Sequence, residues 1–346
     1  MSAKSPLSSY IDTLHGLISD LEHLLSRVKK STGAITIGFT CDFLPFEVLS
    51  AFNIHPLVIP RIYSAQKTLP VPSSIDFIVK PENCCRPLTS VDHTKIITVP
   101  SIPVGYGDEA ILQWESIVGD CITRITGIPH PIPDTARLSA AADTYNEIRR
   151  LVRGIAALRA EKPFIMSNEE LAVVFDAALC LPQDILRDQL AGIRDALNSA
   201  DDNRPRTGIP AMAYGGFSVL PGLLDELESA GFAIIEDDIC GGRRSFDLSH
   251  NTSSPELYAE ILNAFSFRPF CPCLRDQASR FDLLYRLLGT YGIETVLLIE
   301  DKGCPARAAQ VEYLRVKLMR AGIDHLVIRT DDAASIAKSY VEHASL

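Results

Sequence analysis

Short apolar, β-branched runs recur in two blocks of this chain, with a long helical stretch between them. That spacing constrains the fold more than any other feature. In the first block the runs are AITIGFT at 34–40, PLVIP at 56–60, IDFIVK at 75–80 and KIITVP at 95–100. In the second they are IPAMAY at 209–214, AIIEDD at 233–238, ETVLLIE at 294–300 and HLVIRTD at 325–331. Each reads as a short strand, and helical segments such as PFEVLSAF at 45–52 intervene. Strands that alternate with helices predict α/β lobes with largely parallel sheets.

Between the blocks, from about Asp108 to Leu197, Ala, Leu, Glu and Arg dominate at helical spacing. The breakers GIPHPIPD at 127–134 and KPFIMS at 162–167 divide these helices, and SNEE at 167–170 supplies N-cap chemistry. The polar stretch DDNRPRTG at 201–208 is a natural junction. Residues 5–30 predict an amphipathic helix, with Leu14, Ile18, Leu21, Leu25 and Val28 on one face and Lys29 and Lys30 at its end. The expected organisation is an N-terminal helix (1–30), a first α/β lobe (31–105), a helical region (106–205) and a second α/β lobe (206–346). A chain of 346 residues that is 47% hydrophobic can fill such cores.

A formal charge of −10 argues against nucleic acid or an anionic membrane surface as the main partner. No run approaches the length of a membrane span, and the N-terminus has no signal-peptide pattern, so a cytoplasmic location is the expectation. Nine cysteines in that setting are expected as thiols rather than disulfides.

Cys121 and Cys180 fall in helical patterns among apolar neighbours and read as core thiols. Cys41, Cys84, Cys85, Cys240, Cys271, Cys273 and Cys304 instead lie where strands or apolar segments meet loops. In open parallel sheets, ligand sites form beyond the carboxyl ends of the strands. The adjacent pair in IDFIVKPENCCRPLTS occupies such a place and cannot easily close a disulfide on itself. Cys-Cys and the Cys-x-Cys of RPFCPCLRD are the wrong spacings for a zinc knuckle. A thiol-rich, histidine-poor set favours an iron–sulfur cluster. Cys304 stands at a helix start, where a thiolate is favoured. The chain has no phosphate-binding Gly-rich loop, no G-x-S-x-G and no His-Glu-x-x-His. In EDDICGGRRSFD, Arg243 and Arg244 suit either a phosphate or carboxylate ligand, or a tight turn bridged to Asp237 or Asp238. Glu47 is open to acid/base work or to a place at a helix N-terminus.

The ordered segments resemble the 2-hydroxyacyl-CoA dehydratase and benzoyl-CoA reductase subunit family over about residues 33–332. The likeness is carried by GFTCDFLPFEVLSAFNIHPLVI with its Pro-x-Glu, by IDFIVKPENCC, and by the Asn-x-x-Arg of TYNEIRRLVRGIAALR. Further on it is carried by LLDELESAGFAIIEDDICGGRRSFD and by EDKGCPARAAQVEYLRVKLMRAGIDHLVIRTD. The resemblance implies two Rossmann-like (flavodoxin-like) α/β lobes with an intervening helical region. It further implies a [4Fe–4S] cluster, or a larger iron–sulfur assembly, that reduces an acyl-CoA-type substrate one electron at a time. An ATP-dependent iron–sulfur activator would feed it, and a paralogous subunit would complete a homodimer or heterodimer. Cys84 or Cys85 matches one family ligand and Cys304 another. VIPRIYSAQKTLPVPSSIDF holds no cysteine for the remaining one, so Cys41, Cys240 and Cys271 are candidates to complete the set. Arg243 would contact an anionic substrate or cofactor. The alternatives are a cluster-supporting partner of a complete paralogue, a reductase of the double-cubane type, or a structural zinc protein.

Overall fold

The computed structural model describes residues 5–59, 71–84, 95–100, 108–162, 165–200, 208–216, 221–268, 278–300 and 305–329. The two expected sheets are present, each four-stranded and wholly parallel. In the first lobe β1 (Ile35–Phe39), β2 (Ile54–Val58), β3 (Phe77–Pro81) and β4 (Ile96–Val99) lie in the order β2-β1-β3-β4. In the second, β5 (Ile209–Tyr214), β6 (Phe232–Asp238), β7 (Thr295–Glu300) and β8 (Asp324–Arg329) lie in the order β6-β5-β7-β8. The two orders are the same. Each lobe starts at an inner strand, adds its second strand on one side, then crosses to add the third on the other. The strand order thus reverses at the β1–β3 and β5–β7 pairs, the kind of switch point at whose carboxyl ends open parallel sheets form ligand sites.

The N-terminal segment departs from the expected single helix. It forms α1 (Pro6–Ser19) and α2 (Leu21–Thr32), broken at Asp20, whose N–H turns back to the carbonyls of Gly16 and Ile18. The break lets two faces be served. α1 packs on α6 (Asn168–Cys180) and α7 (Gln183–Ser199), where a side chain at Gly192 would collide with the Tyr10 ring. α2 instead ties itself to the approach to β3. Its Glu22 accepts from the Ser73 hydroxyl at 2.9 Å, and its Lys29 bonds the Ser74 carbonyl at 3.2 Å. Gly33 ends α2 at φ +66°, a left-handed turn that glycine adopts without strain.

The helical stretch resolves into α4 (Asp108–Thr126), α5 (Thr135–Glu161), α6 and α7. Asp134 caps α5 through the Arg137 N–H, and Ser167 with Glu170 forms the expected capping box on α6. This region shares one hydrophobic core with the first lobe. Trp114, Val152, Val174 and Leu190 belong to the same cluster as Ile37, Phe39 and Leu57. The second sheet has a core on each face. α8 (Pro221–Ser229) contributes Leu223, Leu224 and Leu227 on one side. On the other, α10 (Ala278–Tyr291) and α11 (Pro305–Ala321) contribute Leu284, Leu288, Leu314 and Leu318.

The connection from β6 to β7 is the unexpected part. After β6 the chain makes a short 3-10 turn at Arg243–Phe246, then α9 (Leu257–Phe267). Phe246, Leu257, Ile261, Leu262 and Phe265 pack in the first core, not the second. The boundary at 206 thus separates the sheets but not the cores. Polar side chains of α5 hold this excursion by its main chain. Arg153 donates to Phe246 O at 2.7 Å and Leu248 O at 3.3 Å, Asn146 to His250 O at 2.8 Å, and the Ser139 hydroxyl to Thr252 O at 3.0 Å. Ser139, Asn146 and Arg153 are seven residues apart, so they share one helix face.

Candidate functional site

In the first lobe, Cys41 and Cys84 follow β1 and β3, the paired strands at which the order reverses. Thr40 N–H still bonds Val79 O at 3.4 Å, so the β1–β3 pairing runs up to Cys41. Beyond β3, Glu82 N–H bonds Val99 O at 2.9 Å, and the turn closes with Cys84 N–H on Pro81 O at 3.1 Å. Both cysteines are half-buried. Cys121 and Cys180 are the core thiols the sequence suggests. Burial pushes Cys121 up to about 12 and Cys180 well above its ordinary value.

In the second lobe, each charged or small residue of EDDICGGRR has a local task. Asp237 Oδ1 accepts from Ile239 N–H at 3.2 Å and Arg243 N–H at 3.3 Å, shaping the loop that carries Cys240. Gly241 takes φ +71°. A side chain at Gly242 would collide with the Asp237 carboxylate and come within 3.2 Å of the Ile239 carbonyl. Asp238 receives both Arg244 and Arg280, one on each oxygen. Arg243 pairs with Glu236 at 2.7 Å and donates to the Tyr291 hydroxyl at 2.7 Å. The tight-turn reading therefore holds for Arg244, while Arg243 takes Glu236 instead of either aspartate. Burial pushes Glu236 up to about 8, outweighing the pull of Arg243.

Cys240 is half-buried and its sulfur accepts from Arg307 Nη2 at 3.3 Å. Arg307 is fully buried at the first turn of α11. Its guanidinium and that of Arg280 lie 5.0 Å and 5.2 Å from the Tyr214 ring, which closes β5. The carboxyl ends of β5 and β6 thus carry a buried arginine wall around one aspartate and one thiol.

Glu47, in the short helix α3 (Phe46–Ala51), is fully buried and ion-paired with Arg149 of α5. His250 Nε2 lies 3.4 Å from the same carboxylate oxygen. Burial alone would raise this carboxyl, but Arg149 and His250 outweigh it and hold Glu47 far below the ordinary carboxylate range. These partners favour the carboxylate form. Asn146 fixes His250 by both main-chain groups, accepting its N–H at 3.0 Å and donating to its carbonyl. The Asn-x-x-Arg and Pro-x-Glu segments therefore meet at one buried junction.

Arg268, at the end of α9, joins the two lobes. It donates to Asp42 O at 2.7 Å and to the Asp42 carboxylate, and lies 3.5 Å from Arg244 O. A small cavity beneath it is lined by Leu44, Phe46, Arg149, Phe246 and Phe265.

A family model described as 2-hydroxyglutaryl-CoA dehydratase, D-component, matches residues 58–340. The chain belongs to this family. A search of curated proteins finds no match. The dehydratase D-component match begins at β2, so Cys41 and Glu47 precede it, while Cys84, Cys85, Cys240, Arg243, Cys271 and Cys304 fall within it. It agrees with the resemblance read from the sequence, apart from the opening segment. Family membership makes the chain a component of the 2-hydroxyacyl-CoA dehydratase type. No helix among the described residues is long and apolar enough to cross a membrane.

Cys85, Cys271 and Cys304 lie outside the described residues, and so does Cys273. Among the described residues no three His, Cys, Asp or Glu side chains are grouped to hold a metal ion. The donor chemistry of the strand-end cysteines nonetheless suits the iron–sulfur cluster that the sequence resemblance implies. Cys41, Cys84 and Cys240 are half-buried thiols at sheet carboxyl ends, unlike the two core thiols. Sequence reasoning missed Arg268, Arg280, Arg307 and His250. Only the position of Arg268, just before the Cys-x-Cys, hinted at a site.

Proposed function

We propose that this chain is the iron–sulfur-bearing component of a 2-hydroxyacyl-CoA dehydratase-type system acting on an acyl-CoA thioester. The observation that carries the reading is topological. Cys84 follows β3, the third strand of the first lobe, at its switch point. Cys304 stands in the sequence between the end of β7, the third strand of the second lobe, and the start of α11. The two family ligand positions are thus equivalent in two lobes of identical strand order. Cys84, Cys85 and Cys304 are the proposed ligands, with Cys41, Cys240 and Cys271 available to complete the set.

When bound, a [4Fe–4S] cluster, or a larger iron–sulfur assembly, supplies low-potential single electrons to the thioester. The chain's own residues hold and tune that site. Arg307 donates a charged N–H to the Cys240 sulfur, which stabilises an electron-rich thiolate. Glu47 and Arg149 tie α3, which follows the Cys41 loop in the chain, to α5. Arg243 would meet a substrate anion only by leaving Glu236. An ATP-dependent iron–sulfur activator and a paralogous subunit are the proposed partners, in keeping with a family that is named as one component.

Anaerobic purification with iron, acid-labile sulfide and EPR analysis tests this reading. The wild-type chain, alone or co-purified with a paralogue, should carry a cluster that Cys84→Ala and Cys304→Ala each lose. A stable, colourless, iron-free protein in both preparations would overturn it.

A further inference from the structure

Two loops bear thiols from opposite lobes, and one side chain touches both. Asp42 directly follows Cys41 after β1, and Arg244 ends the Asp237-shaped loop that carries Cys240 after β6. Arg268 grips Asp42 by both its carbonyl and its carboxylate, and the same guanidinium reaches the Arg244 carbonyl. It is 6% exposed, and its carbon lies 5.6 Å from the Phe265 ring centre, so a packed aromatic holds its plane.

We propose that Arg268 is a positioning residue that fixes the Cys41–Asp42 loop of the first lobe against the Cys240–Arg244 loop of the second. The planar fork is what makes this work. It meets a carboxylate and two main-chain carbonyls from one rigid group, which a lysine ammonium on a flexible stem cannot do. α9 delivers the fork from the first core, because Leu257, Ile261 and Phe265 anchor that helix there. The spacing between the two thiol-bearing loops is therefore set by the packing of a helix that belongs in sequence to one lobe and in space to the other. The consequence for a bound cluster rests on the proposed function; the coupling of the two loops does not.

Hydrogen exchange of the full chain, followed by mass spectrometry, reads the coupling directly. Arg268→Lys should speed exchange several-fold in residues 39–44 and in residues 239–246 together, with unchanged far-UV dichroism. Asp42→Asn, which leaves the arginine in place, should reproduce the effect more weakly and serves if the first variant folds poorly. Unchanged exchange, or a rise confined to one loop, overturns the proposal. In anaerobically purified protein, Arg268→Lys should also release iron to a chelator at least two-fold faster and alter the EPR line shape, which a purely structural contact would not do. Equal release and an identical spectrum would remove the link to the cluster. If the wild-type chain holds no iron, the proposed function fails, and the exchange measurement still decides the role of Arg268.

Discussion

Arg149 of α5 donates to the carboxylate of Glu47 in α3 across 102 positions of sequence, with both side chains shut away from water. Breaking a buried pair by removing one partner leaves the other charge uncompensated. Glu47→Gln is therefore expected to cost about 3–5 kcal/mol at pH 7, measured by urea denaturation. The sign with pH follows from the direction of the shift. A carboxyl held below its ordinary value stabilises the fold above about pH 4.5, and that contribution is lost as pH falls. The gap between wild type and variant should hold from pH 7 down to about pH 5 and shrink as pH falls below about 4.5.

Glu236 has the opposite sign. Burial lifts it to about 8, so the folded chain binds a proton that the unfolded chain has already lost above pH 4.5. Stability is then eroded as pH rises from about 4.5 to about 8. Glu236→Gln keeps a neutral group at the site and should flatten that slope, gaining about 1–3 kcal/mol over wild type by pH 8. Thermal melts at pH 5, 6.5 and 8 check this; parallel curves for the two proteins would contradict it.

Gly242→Ala should displace the Cys240 loop. The added methyl meets the Asp237 carboxylate that shapes the turn and the carbonyl of Ile239. A destabilisation of about 1–3 kcal/mol is expected. Asp237→Ala should cost a similar amount by removing both capping bonds, and the double variant should fall short of the sum, since one contact is being broken twice.

The strand lobes, the capping box on α6 and the two core thiols were legible in the sequence because each rests on local pattern. Period-two and period-3.6 apolar spacing, and Ser167 three residues before Glu170, need no knowledge of the rest of the chain. Asp20 was not legible as a helix break, since what separates α1 from α2 is the pair of surfaces on which they dock. The site arginines were hidden for the same reason. Arg268, Arg280 and Arg307 acquire meaning from hydrogen-bond partners 24 or more residues away, such as Arg244, Asp42, Asp238 and Cys240.

Thiol chemistry should divide the cysteines along the line drawn by burial. In chelator-treated native protein, Cys121 and Cys180 should resist iodoacetamide while Cys41, Cys84 and Cys240 are modified, because deep burial suppresses the thiolate. Peptide mapping after timed alkylation reads this out, and rapid labelling of Cys180 would contradict the packing described for α6.

The β6–β7 excursion bears on how the chain acquires its structure. α9 leaves the second sheet half built, fills a place in the core of the first lobe, and only then does β7 return to sit beside β5. The segment joining the halves of the second sheet buries its apolar face in the first core, so the second lobe is not a self-contained hydrophobic unit. A fragment beginning at residue 206 would display Leu257, Ile261 and Phe265 to solvent and should aggregate. The intact chain is expected to lose both lobes in a single cooperative transition.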